Sequence, residues 1–311
     1  MNILFVTPVE SKDAKERFIA LCPDIRFMSR ENIMAKDIED AEVILGNLPM
    51  DMLTHAKKLK WIQLDSAGAN NYCNLDKDIV LTNASGAYGT AISEHMLGCV
   101  LMVMKNLARY NELQKSMDST NLGSVNTISS SKVLSVGLGD IGSSFAQKMH
   151  ALGATVYGVR RSLHDKPDYI QELYTMDNMD EILPECDVVA LSMPETPETI
   201  NMFDERRLRL MKHGAILVNV GRGSAIVTND LYEIMKEEHL SGVCLDVTSP
   251  EPLPRNHPLW TTKHVYITPH ISGRFNAAVT YDKVLDIFYD NLSRYLGNLP
   301  LKNVVDKNRG Y

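Results

Sequence analysis

The feature that constrains this chain most is a glycine pattern, Gly137-Leu138-Gly139-Asp140-Ile141-Gly142, which stands between two apolar runs. The runs at 132–136 and 155–159 are rich in valine and have the length of β-strands. The residues between the glycines and the second run are enough for one helix. A strand, a glycine turn, a helix and a second strand in this order predict a dinucleotide-binding βαβ unit.

Each glycine of the pattern has its own expected task. Gly137 makes a tight turn, Gly139 lets the backbone approach a pyrophosphate, and Gly142 lets the helix pack closely on the strand. We expect the phosphates at the helix N-terminus, where free N–H groups and the helix dipole favour negative charge, so Asp140 and Ile141 are also candidate cofactor contacts. Three glycines alone also occur in ordinary turns, and the prediction therefore depends on the flanking elements.

The residues after the second run favour one nicotinamide cofactor over the other. An NAD enzyme places an acid about twenty residues past the glycines, where it binds the ribose 2′-hydroxyl. Here that place holds Arg160, Arg161 and Ser162. An acid would repel a 2′-phosphate, whereas guanidinium groups bind it through paired hydrogen bonds. The sequence predicts a site for NADP(H) in preference to NAD(H); the alternative is a solvated basic loop.

Composition narrows the classes of protein further. The 311 residues are enough for about two domains, and the net charge of −7 argues against nucleic acid or an anionic membrane as a partner. The five cysteines are scattered without CxxC spacing, which indicates buried thiols in a reducing compartment and no disulfide framework or metal site. A strand-like run at the very start and the lack of a bilayer-length apolar run lead us to expect a cytoplasmic protein.

Short apolar runs alternate with amphipathic stretches along the whole chain. They lie at 3–6, 25–28, 43–46, 61–64 and 79–82, and then at 133–136, 156–159, 188–191, 215–220, 243–246 and 265–268. Strands separated by helices predict parallel sheets with helices on both faces, and two such series predict two α/β domains. A long buried helix is expected at about 91–113. A second helix, with apolar residues at helical spacing, is expected from about Asn276 to Leu296.

Three segments of the second series carry reactive side chains directly after predicted strands. They are Asn219–Gly223, Asp246 with Glu251 five residues on, and Thr268–His270. Ligands of open α/β sheets bind outside the carboxyl ends of the strands, so we expect these segments to converge on one crevice. Taken singly, Arg222 could be a surface arginine, Glu251 a turn residue and His270 a capping residue. Their joint occurrence after a nucleotide motif predicts an active site.

In these motifs the chain resembles the D-isomer-specific 2-hydroxyacid dehydrogenase family. The matching segments are 137–142, 191–199, 214–223, 245–247, 251–254 with 257–260, and 268–273. The first domain resembles the family more loosely, through 66–69 and 93–95. A Ser/Asn/Thr-rich stretch at 116–131 departs from the family pattern.

The resemblance implies two doubly wound parallel-sheet domains with an active-site cleft between them. A flavodoxin-like substrate (catalytic) domain would comprise 1–100 and 282–311, and a Rossmann dinucleotide-binding domain 101–281. The implied activity is that of an NAD(P)-dependent D-2-hydroxyacid dehydrogenase acting on CH–OH groups. A homodimer with paired nucleotide domains is implied as well, with a small 2-keto or 2-hydroxy acid as partner and neither nucleic acid nor membrane.

The resemblance also implies the roles of individual residues. Arg222 would hold the carboxylate and the carbonyl of a 2-keto acid, His270 would donate a proton to the carbonyl oxygen, and Glu251 would orient the ring of His270 and favour its cation. The backbone N–H groups of Ala67 and Gly68 would also bind the substrate carboxylate. No metal is implied. Further cofactor contacts are implied at Met193, Pro194, Thr199, Val220, Asp246, His270 and Gly273.

Three functions remain open at this point. The favoured one is an NADP-preferring reductase of glyoxylate, hydroxypyruvate or a similar 2-keto acid. The alternatives are an NAD-linked D-2-hydroxyacid dehydrogenase of the phosphoglycerate type and a nucleotide-sensing, corepressor-like binding protein.

Overall fold

The computed structural model describes residues 1–9, 11–163, 165–273, 275 and 277–310. Its strands are β1 (Ile3–Phe5), β2 (Arg26–Phe27), β3 (Val43–Leu45), β4 (Trp61–Gln63), β5 (Val80–Thr82), β6 (Lys132–Val136), β7 (Thr155–Val159), β8 (Glu172–Tyr174), β9 (Val188–Leu191), β10 (Ile216–Asn219), β11 (Gly242–Leu245) and β12 (Val265–Ile267). Its α-helices are α1 (Lys12–Leu21), α2 (Ala35–Ile38), α3 (Met50–Leu53), α4 (Gly89–Met104), α5 (Leu107–Lys115), α6 (Asp140–Ala151), α7 (Glu205–Leu210), α8 (Thr228–Lys236) and α9 (Ala278–Leu296).

The backbone separates into two units, Met1–Tyr88 with Ala277–Tyr311, and Gly89–Asn276. The boundary expected between residues 100 and 101 falls inside α4, and the one expected between 281 and 282 falls inside α9. Each of these helices lies in one unit as a whole, α4 in the second and α9 in the first. A helix packs as one rigid body, which is why a boundary inside it differs from the division of the backbone.

The first unit is built on a five-stranded parallel sheet in the order β2-β1-β3-β4-β5. This is the flavodoxin-like order, in which the chain changes direction between β1 and β3. Aromatic side chains fill its core: the ring of Phe5 on β1 lies 4.8 Å from that of Phe18 and 5.6 Å from that of Phe288 on α9. Burial of such rings is a strong driving force, and it explains why the C-terminal helix belongs to this unit.

The second unit is built on a seven-stranded parallel sheet in the order β12-β11-β10-β9-β6-β7-β8. Read from β8 to β11, this is the 3-2-1-4-5-6 order of the Rossmann fold, with β12 added at the far edge. All four residues of β9, β10 and β11 are buried, as expected of strands covered on both faces. The predicted fold class, two doubly wound parallel α/β domains, is confirmed.

Two elements differ from the expected ones. The short edge strand β8 begins with an exposed glutamate and was not predicted, because it lacks an apolar run. The single helix expected at 91–113 is two helices, α4 and α5, since Asn106 between them has a left-handed backbone with φ 54°. Asparagine tolerates this conformation better than most residues. The predicted start of the last helix, Asn276, lies outside the described residues, and α9 begins at Ala278.

Two features of the fold bear on the expectations from composition, the membrane-spanning potential of its helices and the burial of its cysteines. In the described part of the chain, no helix combines the length and the apolar character needed to cross a bilayer. All five cysteines are free; Cys186 and Cys244 are buried, whereas Cys22, Cys73 and Cys99 are only half-buried. The expectation of buried thiols therefore holds for two of the five and is wrong for the other three.

Candidate active site

The glycine turn joins β6 to α6 at the point where the strand order of the second sheet reverses. Gly137 has φ 95°, a conformation that favours glycine, and a Cβ at Gly142 would lie 1.9 Å from the carbonyl oxygen of Gly137. A Cβ at Gly139, the N-cap of α6, would meet no described atom within 4 Å. The first and third glycines are thus required by the backbone, whereas the second leaves open space at a helix N-terminus. This cradle fits a dinucleotide pyrophosphate.

The first residues of α6 bring backbone N–H groups to the cradle. The side chain of Asp140 faces elsewhere, because its Oδ2 accepts a hydrogen bond of 2.7 Å from the backbone N–H of Gly89 at the start of α4. Ile141 is half-buried. The predicted cofactor contacts at these two positions therefore fall to the backbone, where the helix dipole favours an anion.

Arg160 follows β7 directly, at the carboxyl end of the strand that neighbours β6. Its backbone N–H donates to the carbonyl of Tyr174 at 3.0 Å, and its Nε donates to the carbonyl of Ser162 at 2.7 Å. Arg161 and Ser162 are exposed. The three residues predicted to distinguish the cofactors thus form one basic turn at the edge where a doubly wound sheet binds its ligand.

The segment after β9 borders the glycine turn. A Cβ at Gly137 would lie 3.1 Å from the nitrogen of Met193, which is buried. Thr199 is buried too: its hydroxyl donates to the carbonyl of Pro194 at 2.8 Å and accepts from the N–H of Thr196 at 2.8 Å. Thr199 therefore closes this loop on itself, and the loop presents Met193 and Pro194 beside the glycine turn.

The end of β10 lies against the same loop. The backbone N–H of Val220 donates to the carbonyl of Leu191 at 3.1 Å, and a Cβ at Gly221 would lie 2.7 Å from the carbonyl oxygen of Met193. Only glycine allows this approach. The close packing fixes the direction in which the next residue, Arg222, leaves the sheet.

Asp246 follows β11 and is almost fully buried, with 2% of its surface exposed. Its carboxylate accepts hydrogen bonds from the hydroxyl of Thr268 at 2.6 Å, from the N–H groups of Ile271 and Ser272 at 3.0 Å each, and from the hydroxyl of Ser272. Burial alone would raise the pKa of Asp246, but the hydrogen bonds from Ser272, Thr268 and Ile271 outweigh it and hold that pKa below its usual value. Asp246 thereby holds the loop that carries His270, and Gly273, half-buried, continues this loop.

His270 and Glu251 form a hydrogen-bonded pair. Nδ1 of His270 lies 2.6 Å from Oε1 of Glu251, and the two side chains are 47% and 42% exposed. The other oxygen of Glu251 accepts from the N–H of Thr248 at 3.4 Å. Because Nδ1 faces the carboxylate, Nε2 is the ring nitrogen that remains for a ligand.

Arg222 lies at the end of β10, half-buried. Its Nη1 donates to the carbonyl of Gly221 at 2.7 Å, and its own carbonyl accepts from Asn219 at 2.9 Å. Burial lowers the pKa of Arg222, while the charges of Glu195 and Glu251 act in the opposite direction. An arginine stays charged under any such shift. Glu251 therefore interacts with both Arg222 and His270, and the three predicted catalytic residues share one edge of the second sheet.

Sequence reasoning missed one residue of this group. Glu195, in the loop after β9, accepts a hydrogen bond from the hydroxyl of Ser224 and favours the charged form of Arg222. A signal was present, because Glu195 also follows a buried strand at the carboxyl edge of the sheet.

The two residues predicted to bind the substrate carboxylate belong to the first unit. Ala67 and Gly68 follow β4, and their carbonyls accept hydrogen bonds of 2.8 Å from Asn83 and from Ser66, respectively. These bonds fix the turn at the carboxyl end of the first sheet, where ligands of such sheets bind.

A Rossmann sheet with a glycine turn, a histidine–carboxylate pair and a half-buried arginine is typical of the class of NAD(P)-dependent oxidoreductases. The sequence model of the D-isomer specific 2-hydroxyacid dehydrogenase NAD binding domain matches residues 97–272. The chain therefore belongs to the D-isomer specific 2-hydroxyacid dehydrogenase family, whose members act on CH–OH groups with a nicotinamide cofactor.

Known proteins resemble the chain over most of its length. An uncharacterized protein encoded in the proB 3′ region of Corynebacterium melassecola is 30% identical, across 76% of this chain and 80% of that protein. A glyoxylate reductase from Thermofilum pendens is 28% identical, across 79% of this chain and 76% of the reductase. A D-3-phosphoglycerate dehydrogenase from Methanocaldococcus jannaschii is also 28% identical, but the match spans 88% of this chain and only 54% of that enzyme.

Solved structures share the whole fold. A D-isomer specific 2-hydroxyacid dehydrogenase family protein from Aeromonas salmonicida has a TM-score of 0.88 and 29% identity, covering 98% of this chain and 99% of that one. An NADPH-dependent glyoxylate/hydroxypyruvate reductase from Sinorhizobium meliloti, solved with NADP and sulfate, has a TM-score of 0.86 and covers 100% of both chains. At 23% identity, the second likeness concerns the fold alone.

Proposed function

We propose that the chain reduces small 2-keto acids to D-2-hydroxy acids with NADPH, and that glyoxylate and hydroxypyruvate are its preferred kind of substrate. The observation that supports this most is the 2.6 Å hydrogen bond between His270 and Glu251, at the same sheet edge as the half-buried Arg222. A cationic acid, a carboxylate that supports it and an anchored guanidinium are what keto-acid reduction requires.

In this proposal each residue acts at a stated atom. Arg222 binds the substrate carboxylate and carbonyl through its planar donor fork and stabilises the negative charge that grows on the carbonyl oxygen. His270 donates a proton from Nε2 to that oxygen, and in the reverse direction it accepts the proton. Glu251 keeps the ring in position through Nδ1, and its negative charge balances the positive charge of the proton donor. The reduced nicotinamide, when bound, supplies the hydride.

The preference for NADPH is supported by the basic turn after β7. Arg160 and Arg161 occupy the place where an NAD enzyme has an acid that hydrogen-bonds the ribose 2′-hydroxyl. Binding at the glycine cradle would bring a 2′-phosphate close to this turn, and its charge matches the two guanidinium groups. Met193, Pro194, Val220 and Asp246 would complete the cofactor site.

The small size of the proposed substrate is supported by comparison of the relatives. The glyoxylate reductase and the phosphoglycerate dehydrogenase are equally identical to this chain, so identity does not choose between them. The chain accounts for about three quarters of the reductase but for only about half of the phosphoglycerate enzyme, which favours the reductase.

The backbone N–H groups of Ala67 and Gly68 would bind the substrate carboxylate.

The domain assignment and the assembly are part of the same proposal. The first unit would bind the substrate and the second the cofactor, and two copies would pair through their nucleotide-binding units. Light scattering of the purified protein tests the assembly, since a monomer mass at micromolar concentration would contradict it.

A spectrophotometric screen tests the proposed activity. NADPH oxidation at 340 nm would be followed with glyoxylate, hydroxypyruvate, pyruvate, 2-ketobutyrate, longer or branched keto acids and 3-phosphohydroxypyruvate, each repeated with NADH. We expect the highest kcat/KM with NADPH and a two- or three-carbon keto acid. Turnover confined to NADH and the phosphorylated acid would indicate the phosphoglycerate type. Nucleotide binding without any turnover would indicate a binding protein.

A further inference from the structure

One face of helix α4 packs against one face of strand β11. His95, Cys99 and Val103 are spaced by four on the helix, and Gly242, Cys244 and Asp246 are spaced by two along the strand and its end. A Cβ at Gly242 would lie 2.6 Å from Cγ1 of Val103, so the helix presses directly on the strand there. Cys99 lies one helical turn before Val103 and Cys244 lies two residues after Gly242, and these two cysteines face each other.

The two thiols and the histidine are in hydrogen-bond contact. The thiol of Cys244 donates to the carbonyl oxygen of Cys99 at 4.0 Å, and the side chains of Cys99 and Cys244 also bond each other. The ring of His95 bonds the thiol of Cys99 from the preceding turn. In the described part of the chain, no group of histidine, cysteine and acid has the arrangement of a metal site.

The surroundings make the two thiols unequal. The bonds from Cys244 and His95 lower the pKa of Cys99 against the effect of its burial, while the bond to Cys99 and burial raise the pKa of Cys244. The charge of Asp246, at the end of β11, favours the protonated form of His95 but opposes a thiolate at Cys99. Cys99 is half-buried and Cys244 buried, so an external reagent reaches Cys99 first.

We propose that Cys99 and Cys244 are a redox-active pair, which hydrogen peroxide converts into a disulfide between α4 and β11. The thiolate of Cys99 attacks the peroxide: an S–O bond forms, the O–O bond breaks, and the leaving hydroxide takes a proton from His95. The thiol of Cys244 then attacks the sulfenic sulfur: the S–S bond forms, the S–O bond breaks, and water leaves with the thiol proton. Two thiols lose two electrons in total, and one peroxide becomes two waters.

The disulfide would have a direct route to the site described above. Cys244 is two residues before Asp246, whose carboxylate holds the loop with His270. Two thiols in hydrogen-bond contact must come closer to reach the S–S bond length of about 2.05 Å, so bond formation would shift β11 against α4. We therefore expect oxidation to reduce activity, a consequence that rests on the proposed function. The disulfide itself does not rest on it.

Peptide mapping of the intact, reduced protein tests the pair without any activity assay. After limiting hydrogen peroxide and alkylation of the remaining thiols, we expect one cross-linked peptide, Cys99 with Cys244, which dithiothreitol removes. Cys22 and Cys73 are matched internal controls, because they are half-buried like Cys99. At pH 7, iodoacetamide should label Cys99 roughly tenfold faster than either control, as expected for a thiolate against a thiol.

Three variants separate the steps. In Cys244→Ala, Cys99 should stop at the sulfenic acid and be trapped by dimedone. In Cys99→Ala the cross-link should vanish, and in His95→Gln the labelling of Cys99 should slow toward the rate of Cys22. Cys186→Ala, which removes a buried cysteine elsewhere in the second unit, should leave the cross-link unchanged. Labelling of Cys99 no faster than of Cys22, or persistent Cys99 sulfenic acid with Cys244 unreacted, would overturn the proposal.

If the cross-link forms but the protein turns over no keto acid, the redox pair stands and the proposed function fails. If the keto acid is reduced but no cross-link forms, the proposed function stands and the redox pair fails. A cross-link that forms without loss of activity would overturn the link from Cys244 to Asp246.

Discussion

Nδ1 of His270 lies 2.6 Å from Oε1 of Glu251, although 19 positions separate the two residues in the chain. They meet because Glu251 follows β11 and His270 follows β12, and these strands are parallel neighbours. His270 has a left-handed backbone with φ 52°, a strained conformation for a non-glycine residue. The hydrogen bonds from Ile271 and Ser272 to Asp246 hold the turn that follows. The sheet and one buried carboxylate thus position the ring.

Replacement of Glu251 by glutamine tests whether its charge supports the reaction. Glutamine keeps an acceptor oxygen of similar shape but removes the negative charge beside Nδ1. The value of kcat for keto-acid reduction should therefore fall by about tenfold or more, because the carboxylate no longer balances the charge of the proton donor. We would measure kcat and KM with NADPH and glyoxylate. Glu237→Gln, at an exposed ion pair with Arg209, is the control. An unchanged kcat would remove Glu251 from this role.

Two alanine substitutions in the glycine turn should have opposite effects. Gly139→Ala puts a methyl group into open space, so the fold should be kept while KM for NADPH rises at least about tenfold, the equivalent of one lost contact of about 1.4 kcal/mol. Gly142→Ala puts the methyl group 1.9 Å from the carbonyl oxygen of Gly137 and should destabilise the protein. Thermal unfolding and NADPH titration distinguish the two. Equal behaviour of both variants would contradict the cradle.

Charge reversal at Arg160 tests the cofactor preference. Arg160→Asp should repel a 2′-phosphate and offer an acceptor to a 2′-hydroxyl, so the ratio of kcat/KM for NADPH to that for NADH should fall by about tenfold or more. Lys263→Asp, an equal charge change just before β12 at the opposite sheet edge, should leave the ratio unchanged. Equal use of both cofactors by the unaltered protein would already count against the prediction.

Asp246 makes stability depend on pH in a defined direction. Because its pKa is lowered in the folded protein, its charged form stabilises the fold above the unfolded value of about 3.9, and this contribution disappears as the pH falls through the folded value. Asp246→Asn leaves buried donors unpaired and should cost about 1–3 kcal/mol near neutral pH. Urea unfolding of the cofactor-free protein should show this gap at pH 7 and a smaller gap below about pH 4. A gap that is independent of pH would contradict the role of the charge.

The sequence predicted the site best at positions where the backbone conformation or packing allows only one residue type. Gly137 and Gly142 could be read directly because a side chain at either position is strained or blocked. Arg222, Glu251 and His270 could be placed at one edge because each follows a buried strand, and parallel strands end at the same edge. Both predictions use only the order of neighbouring residues along the chain, which the sequence gives directly.

Contacts between residues that are far apart in the sequence could not be predicted, because they depend on how the elements pack. The position of Glu195 after a buried strand placed it at the carboxyl edge of the sheet, but only the fold shows that its charge acts on Arg222. Nothing in the sequence indicates that His95 and Cys99 lie beside Cys244, because this contact depends on the packing of α4 on β11. Likewise, the break at Asn106 arises from a single left-handed residue within an apolar pattern that continues past it.

The proposed reduction of keto acids depends on proton donation by His270. The most direct measurement is kcat for NADPH-dependent glyoxylate reduction by His270→Ala, with NADPH binding measured in the same sample and His213→Ala as a control at an exposed histidine. We predict a loss of about 10²–10⁴-fold in kcat with NADPH binding retained, because alanine cannot supply the proton. A kcat close to that of the unaltered protein would contradict the mechanism.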